Sequence, residues 1–162
     1  MSSPQAQNRA DARHAARLGA VQALYQMEMN GSGAAEVAQE FADHRFGELP
    51  VEPDADFFHA IVNGVPPHQV EIDRAIAGSL SEKWKLERVD SILRAILRCG
   101  VYELVAQRDV PAKAVIDEYV AVARAFFGGD EPGFVNAALD TIARRKRAVE
   151  FGLPTPADEL DF

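Results

Sequence analysis

Apolar residues recur along this chain at spacings of three and four, and no stretch keeps up a two-residue alternation. That periodicity belongs to helices with one buried face, not to strands. The densest case is 109–142, which reads as two amphipathic helices joined by a glycine–aspartate elbow. Pro111 suits a first helical turn, where its missing N–H costs nothing. Val115, Ile116, Tyr119, Val120, Ala123, Phe126 and Phe127 then make one wide apolar stripe. Gly128 and Gly129 are expected to end that helix, in the left-handed conformation that suits a C-terminal cap. Asp130 or Glu131 starts the next helix, with Pro132 near its first turn. Its buried face is Phe134, Val135, Ala138, Leu139 and Ile142. Such a hairpin cannot bury both stripes alone, so other helices must pack on it.

The rest of the chain supplies them. Residues 1–8 are polar and are expected to be disordered. A long helical pattern runs from Arg9 to about Met29, with Ala12, Ala16, Ala20, Ala23 and Met27 on one face and Val21 and Leu24 beside it. Gly31-Ser32-Gly33 is a turn. Glu36–Phe46 reads as a short helix with Val37, Ala38, Phe41 and Ala42 inward, and Gly47–Asp54 as a loop. Asp54–Val65 is helical through Phe57, Phe58, Ile61, Val62 and Val65, until Pro66-Pro67 stop it. Val70, Ile72, Ile76 and Leu80 suggest a fourth helix, broken near Gly78-Ser79, and Trp84 and Leu86 follow in a connecting stretch. Val89–Ala106 is the strongest helical pattern and implies a central, mostly buried helix, in which Gly100 permits close packing. The picture is all-α: about seven helices, with subdomains at about 9–66 and 67–148 and an acidic, flexible tail at 149–162.

Charge adds one feature that the apolar pattern lacks. At 100° per residue, Arg9, Arg13 and Arg17 fall in the same sector as Val21 and Leu24. The first helix therefore turns from cationic to apolar along one side, as if its second half were buried and its first half projected to present arginines. A solvated basic end is the plainer account. His14 lies to one side of that stripe, and either joins the cationic group or is an ordinary surface histidine. The run Arg144-Arg145-Lys146-Arg147 reads equally as a second nucleic-acid contact or as cations favoured at a helix C-terminus. The net charge of −8 opposes nucleic-acid binding by the chain as a whole, though a local basic patch is sufficient for it.

Other chemistry is not indicated. There is no phosphate loop, dinucleotide fingerprint, His-Glu-x-x-His motif or nucleophile elbow, so no enzyme, cofactor or metal is expected. The four histidines share no close ligand spacing, and the single Cys99 reads as a small core residue. One cysteine, no membrane-spanning run and no secretory signal fit a cytoplasmic protein.

Three blocks in order resemble the NusB family of bacterial transcription antitermination factors. They are Ala20-Val21-Gln22-Ala23-Leu24-Tyr25, then Ile96-Leu97-Arg98 with Tyr102-Glu103-Leu104, then the C-terminal half. That last block carries Val110-Pro111, Ile116, Glu118, Ala123, Phe126 and Gly133-Phe134-Val135-Asn136, closing on Leu139-Asp140. The resemblance covers most of residues 9–145. It implies two small helical bundles packed together. It also implies binding to the boxA segment of nascent ribosomal RNA with NusE, the ribosomal protein that doubles as an antitermination factor, within an RNA polymerase antitermination complex.

Carried over by position, the resemblance makes Arg13, His14 and Arg17 RNA-facing cations, which Arg9 joins by its place on the same stripe, with Tyr25 and Phe134 as base contacts and Lys113 as a weaker contact. Plain core packing accounts for Tyr25 and Phe134 equally well. Asp130 matches an acidic position near the partner surface, and Asn136 suits a structural hydrogen bond. Ala15, where arginine is common, thins the basic cluster, and Ala137 replaces the usual glycine. The helical RNA-binding domain of ribosomal RNA cytosine methyltransferases shares the fold, but such proteins continue into a catalytic domain not seen before Phe162. A helical protein–protein adaptor without an RNA role is the other alternative, and a homodimer is compatible with all of these readings.

Overall fold

The computed structural model describes residues 3–49, 51–81 and 85–155. Among them are seven α-helices and no strand, as the apolar spacing requires. In chain order α1 is Pro4–Asn30, α2 Ala34–Glu40, α3 Ala55–Gly64 and α4 Gln69–Ser79. They are followed by α5 at Ser91–Ala106, α6 at Ala112–Phe126 and α7 at Glu131–Lys146. The helices fall into two compact units that divide between Pro66 and Pro67. Trp84 and the expected tail from residue 156 onward lie outside the described residues.

In the first unit, α1 starts at Pro4 and not at Arg9, so residues 4–8 are helical where disorder is expected. The reason is a cap: the Ser3 hydroxyl accepts the Ala6 N–H at 3.1 Å, and Pro4 needs no acceptor for its nitrogen. At the other end Gly31 takes φ 69° and donates its N–H to the Met27 carbonyl, the left-handed stop that glycine permits. The second predicted helix is α2 followed by a π-type turn over Phe41–Arg45 and a 3-10 turn over Phe46–Glu48. The wider turn shifts the phase of the stripe. Phe41 stays fully buried, while Ala42, expected inside, is exposed. Phe41 stacks on Phe58 with ring centroids 5.5 Å apart, and Phe46 meets Phe58 edge-on at 4.9 Å. This aromatic cluster joins the chain around α2 to α3.

In the second unit α5 packs against α4, α6 and α7, and Ala95, Ile96, Leu97, Val101 and Leu104 are all buried. At Gly100 α7 comes close enough that no side chain fits. A Cβ built there would stand 2.8 Å from Cδ1 of the buried Leu139. Cys99 is buried in the same helix, and burial pushes its thiol well above the usual range, with Glu103 adding to the effect. Such a thiol is held in its unreactive, protonated form. Val70, counted with the apolar face of α4, is 68% exposed, so that face narrows to Ile72 and Ile76.

The elbow of the α6–α7 hairpin departs from expectation. The only positive-φ residues among those described are Gly31 and Gly152, so neither Gly128 nor Gly129 makes a left-handed cap. Phe127 instead leaves α6 in extended geometry while its N–H still reaches the Ala123 carbonyl at 2.9 Å. Asp130 stands at the start of α7 without a side-chain capping bond, and the Glu131 carboxylate accepts the Gly129 N–H at 3.1 Å. Glu150, expected in the tail, lies in a 3-10 turn over Ala148–Phe151 and accepts the Ala112 N–H at 2.9 Å. No described helix is long and apolar enough to cross a membrane.

Candidate nucleic-acid interface

The arginine stripe of α1 descends from solvent into the core. Arg9 is exposed, the Arg13 side chain is 37% exposed, and Arg17 is only 3% exposed. The same line continues into Val21 and Leu24, both buried. Sequence geometry places the three arginines in one sector, but burial divides them: the Arg17 guanidinium is not on the surface. His14, beside the stripe, is half-buried.

Two arginines of this line share a partner on α3. The Arg13 guanidinium lies 4.7 Å from the centroid of the Phe57 ring, and that of Arg17 lies 4.9 Å from the same centroid. Asp54 completes the joint. Its Oδ1 accepts the Phe57 N–H at 3.0 Å as the cap of α3, its Oδ2 stands 4.0 Å from Arg13 Nε, and its own N–H reaches the Ala12 carbonyl at 2.9 Å. Periodicity places Phe57 and Asp54 only on the core face and at the start of α3. A carboxylate three residues ahead of an aromatic at a helix start signals a cap, but nothing local ties either residue to α1.

The other candidates sit on other parts of the chain. Tyr25, half-buried, lies about 18 Å farther along α1 than Arg13. In the second unit Lys113 is exposed in the first turn of α6, and half-buried Phe134 sits in the first turn of α7. Since α6 and α7 form a hairpin, these two occupy opposite ends of it. Asp130 is exposed at the elbow, and its carbonyl accepts the Phe134 N–H at 3.1 Å. Asn136, expected to make a structural hydrogen bond, is exposed on α7.

The basic run at the end of α7 separates into different roles. Arg147 is 4% exposed and donates to the carbonyls of Gln107 and Val110, at 3.1 and 3.0 Å, as well as to those of Glu103 and Leu104. It thereby supplies donors to carbonyls at and just beyond the end of α5, of which Glu103 and Gln107 also accept the N–H groups of Gln107 and Val110, so it is not a surface cation. Arg144 bonds Asp140 at 2.9 Å and lies over the Phe151 ring. Arg145 is exposed and Lys146 half-buried.

A family model described as the NusB family matches residues 14–144. The transcription antitermination protein NusB of Maricaulis maris (strain MCS10) is 55% identical over 150 residues, covering 90% of this chain and 94% of that protein. The chain belongs to the NusB family. The NusB of Caulobacter vibrioides (strain ATCC 19089 / CIP 103742 / CB 15) is 48% identical over 145 residues, 86% of this chain and 97% of that protein. Among solved structures, T. maritima NusB superposes with a TM-score of 0.72 at 27% identity, covering 94% of this chain and all of that one. A crystal structure of the antitermination factors NusB and NusE in complex with dsRNA has the same fold, with a TM-score of 0.72 at 24% identity over 83% of this chain and 97% of that one. The NusB match begins at His14. It therefore takes in Arg17, Tyr25, Lys113, Asp130 and Phe134, while Arg9 and Arg13 lie just ahead of it.

Proposed function

We propose that this chain, as a NusB antitermination protein, binds the single-stranded boxA segment of ribosomal RNA transcripts in the cytoplasm. On this reading it acts with NusE inside an RNA polymerase antitermination complex. The observation that carries the reading is the exposed basic end of α1, Arg9 and Arg13 with His14 beside them, on a chain of net charge −8. Single-stranded RNA is held by cations along its phosphates and by aromatic faces under its bases. Tyr25 and Phe134, both half-buried, each offer part of a ring for such stacking, and Lys113 offers one more exposed charge. Arg17 stands behind Arg13 and makes no phosphate contact itself. The related NusB–NusE complex with dsRNA supports both partners in kind.

So few cations on an acidic chain give weak binding alone, and NusE extends the positive track. Asp130, exposed at the elbow, lies on the partner side. The test is titration of labelled single-stranded boxA RNA with and without NusE. Binding should tighten with NusE, and by linkage RNA should tighten NusE binding by the same factor. Arg9→Ala with Arg13→Ala should reduce the salt slope by roughly 0.7 log unit for each phosphate that is no longer neutralised. Affinity and slope equal to those of the parent protein would overturn the assignment of these residues.

A further inference from the structure

Arg13 is the part-exposed member of the stripe, yet its guanidinium is held on the protein side by an aromatic ring and a carboxylate. A long side chain facing solvent ordinarily samples many rotamers, and fixing it on a ligand costs conformational entropy. The Phe57 ring removes part of that cost in advance. It is 5% exposed and fixed on α3, and Asp54 caps α3 while bonding back to α1 through Ala12. The second guanidinium on the ring, that of Arg17, is buried and cannot swing out to a ligand without leaving the core.

We propose that Phe57 is a positioning residue for RNA binding: its ring, shared with the buried Arg17, pre-sets the Arg13 guanidinium for phosphate contact. The inference rests on the assignment of Arg13 to the RNA-facing side. Phe57 touches no RNA, and its effect passes wholly through Arg13. A cation over an aromatic face is the attraction involved, and it is strongest where water is partly excluded. Arg17 serves as the buried member of the same arrangement, on a stripe that turns apolar from Val21 onward.

A double-mutant cycle on the full chain separates this from a purely structural role. Phe57→Leu keeps apolar bulk and removes the ring, and Phe57→Met gives the same test should the leucine variant melt at assay temperature. Phe57→Tyr keeps the ring. Each is combined with Arg13→Gln and titrated with labelled single-stranded boxA RNA in the presence of NusE. Phe57→Leu should weaken binding by roughly two- to five-fold, Phe57→Tyr should restore it, and Phe57→Leu should have no effect once Arg13 is glutamine. Equal weakening in both backgrounds would mean that Phe57 supports only the fold, and the proposal fails. It fails also if Arg13→Gln weakens binding while Phe57→Leu does not. Should Arg13→Gln leave both affinity and salt slope unchanged, the RNA-facing role of Arg13 falls, and the role of Phe57 falls with it.

Discussion

The Tyr119 hydroxyl on α6 donates a hydrogen bond to the Glu103 carboxylate on α5, and both side chains are fully buried. A carboxylate in a helical core is costly unless its oxygens find donors. Tyr119→Phe keeps the ring and removes the donor, so it should lower unfolding free energy by about 1–3 kcal/mol. Glu103→Gln should be milder, because an amide needs less solvation than a carboxylate. Urea denaturation checks both. A tyrosine-to-phenylalanine change without effect on the midpoint would show that the pair contributes nothing net.

Gly100 sets how near α7 can come to α5. With Leu139 Cδ1 at 2.8 Å from an added Cβ and no exposed route for that side chain, Gly100→Ala must push the helices apart or force a rotamer. Overpacking of this kind costs about 1–3 kcal/mol, more than the helix propensity that alanine would gain. Combining Gly100→Ala with Leu139→Val should recover part of the stability, measurable by thermal melting.

Arg147 and Glu150 tie the end of α7 to the end of α5 and the start of α6. Arg147→Met would leave buried carbonyls without their donor and should cost roughly 2–5 kcal/mol, with Arg147→Lys recovering only a part because a single ammonium cannot reach the same spread of acceptors. Glu150 adds a pH dependence. Partial burial pushes its carboxyl up, but the Ala112 N–H and the Arg147 guanidinium, with Arg108 near, bring it below the ordinary value of 4.5. Folding therefore favours the charged form, and its stabilisation is complete above that ordinary value and fades as pH falls through the lower folded value. Glu150→Gln should melt earlier than the parent protein at neutral pH, and the two should converge in acid. A constant difference across that range would refute the assignment.

Arg17 is the residue where burial and charge disagree. Arg17→Gln removes a buried cation from the Phe57 ring and should lower the melting temperature while leaving the salt slope of RNA binding as it was. A salt slope reduced as it would be by removing one phosphate partner would show that Arg17 reaches the RNA after all.

The helices of the second unit were legible in the sequence because their apolar residues keep a clean period of three and four. Most of the interiors of α5, α6 and α7 lie where that period puts them, though Phe126, Phe127 and Phe134, counted with those stripes, are only half-buried. What was not legible depends on distant partners or on local backbone choices. Arg147 looks like any other member of a basic run until the carbonyls of Leu104 and Val110 are brought to it. Gly128-Gly129 carries the composition of a left-handed stop, yet the extended exit at Phe127 makes one unnecessary. On α1 the angular sector of the arginines was readable, but the depth of each was not, because depth is decided by where α3 lies. Ser3 is a suitable cap residue, but a polar stretch with little apolar content gives no periodicity from which to start a helix before Arg9.

Because the cationic and apolar ends of α1 share one angular phase, the length between them can change only in steps. One residue inserted between Arg17 and Val21 would rotate everything ahead of it by about 100° and carry the arginines away from Phe57. Four inserted residues would bring the phase back to within about 40° but move the basic end outward by about 6 Å, beyond the reach of the same ring. Additions ahead of Ser3 meet neither restriction. Ser3 and Pro4 end the helix at that side, so residues added there leave Arg13 undisturbed, while the segment from Arg13 to Val21 behaves as a fixed ruler.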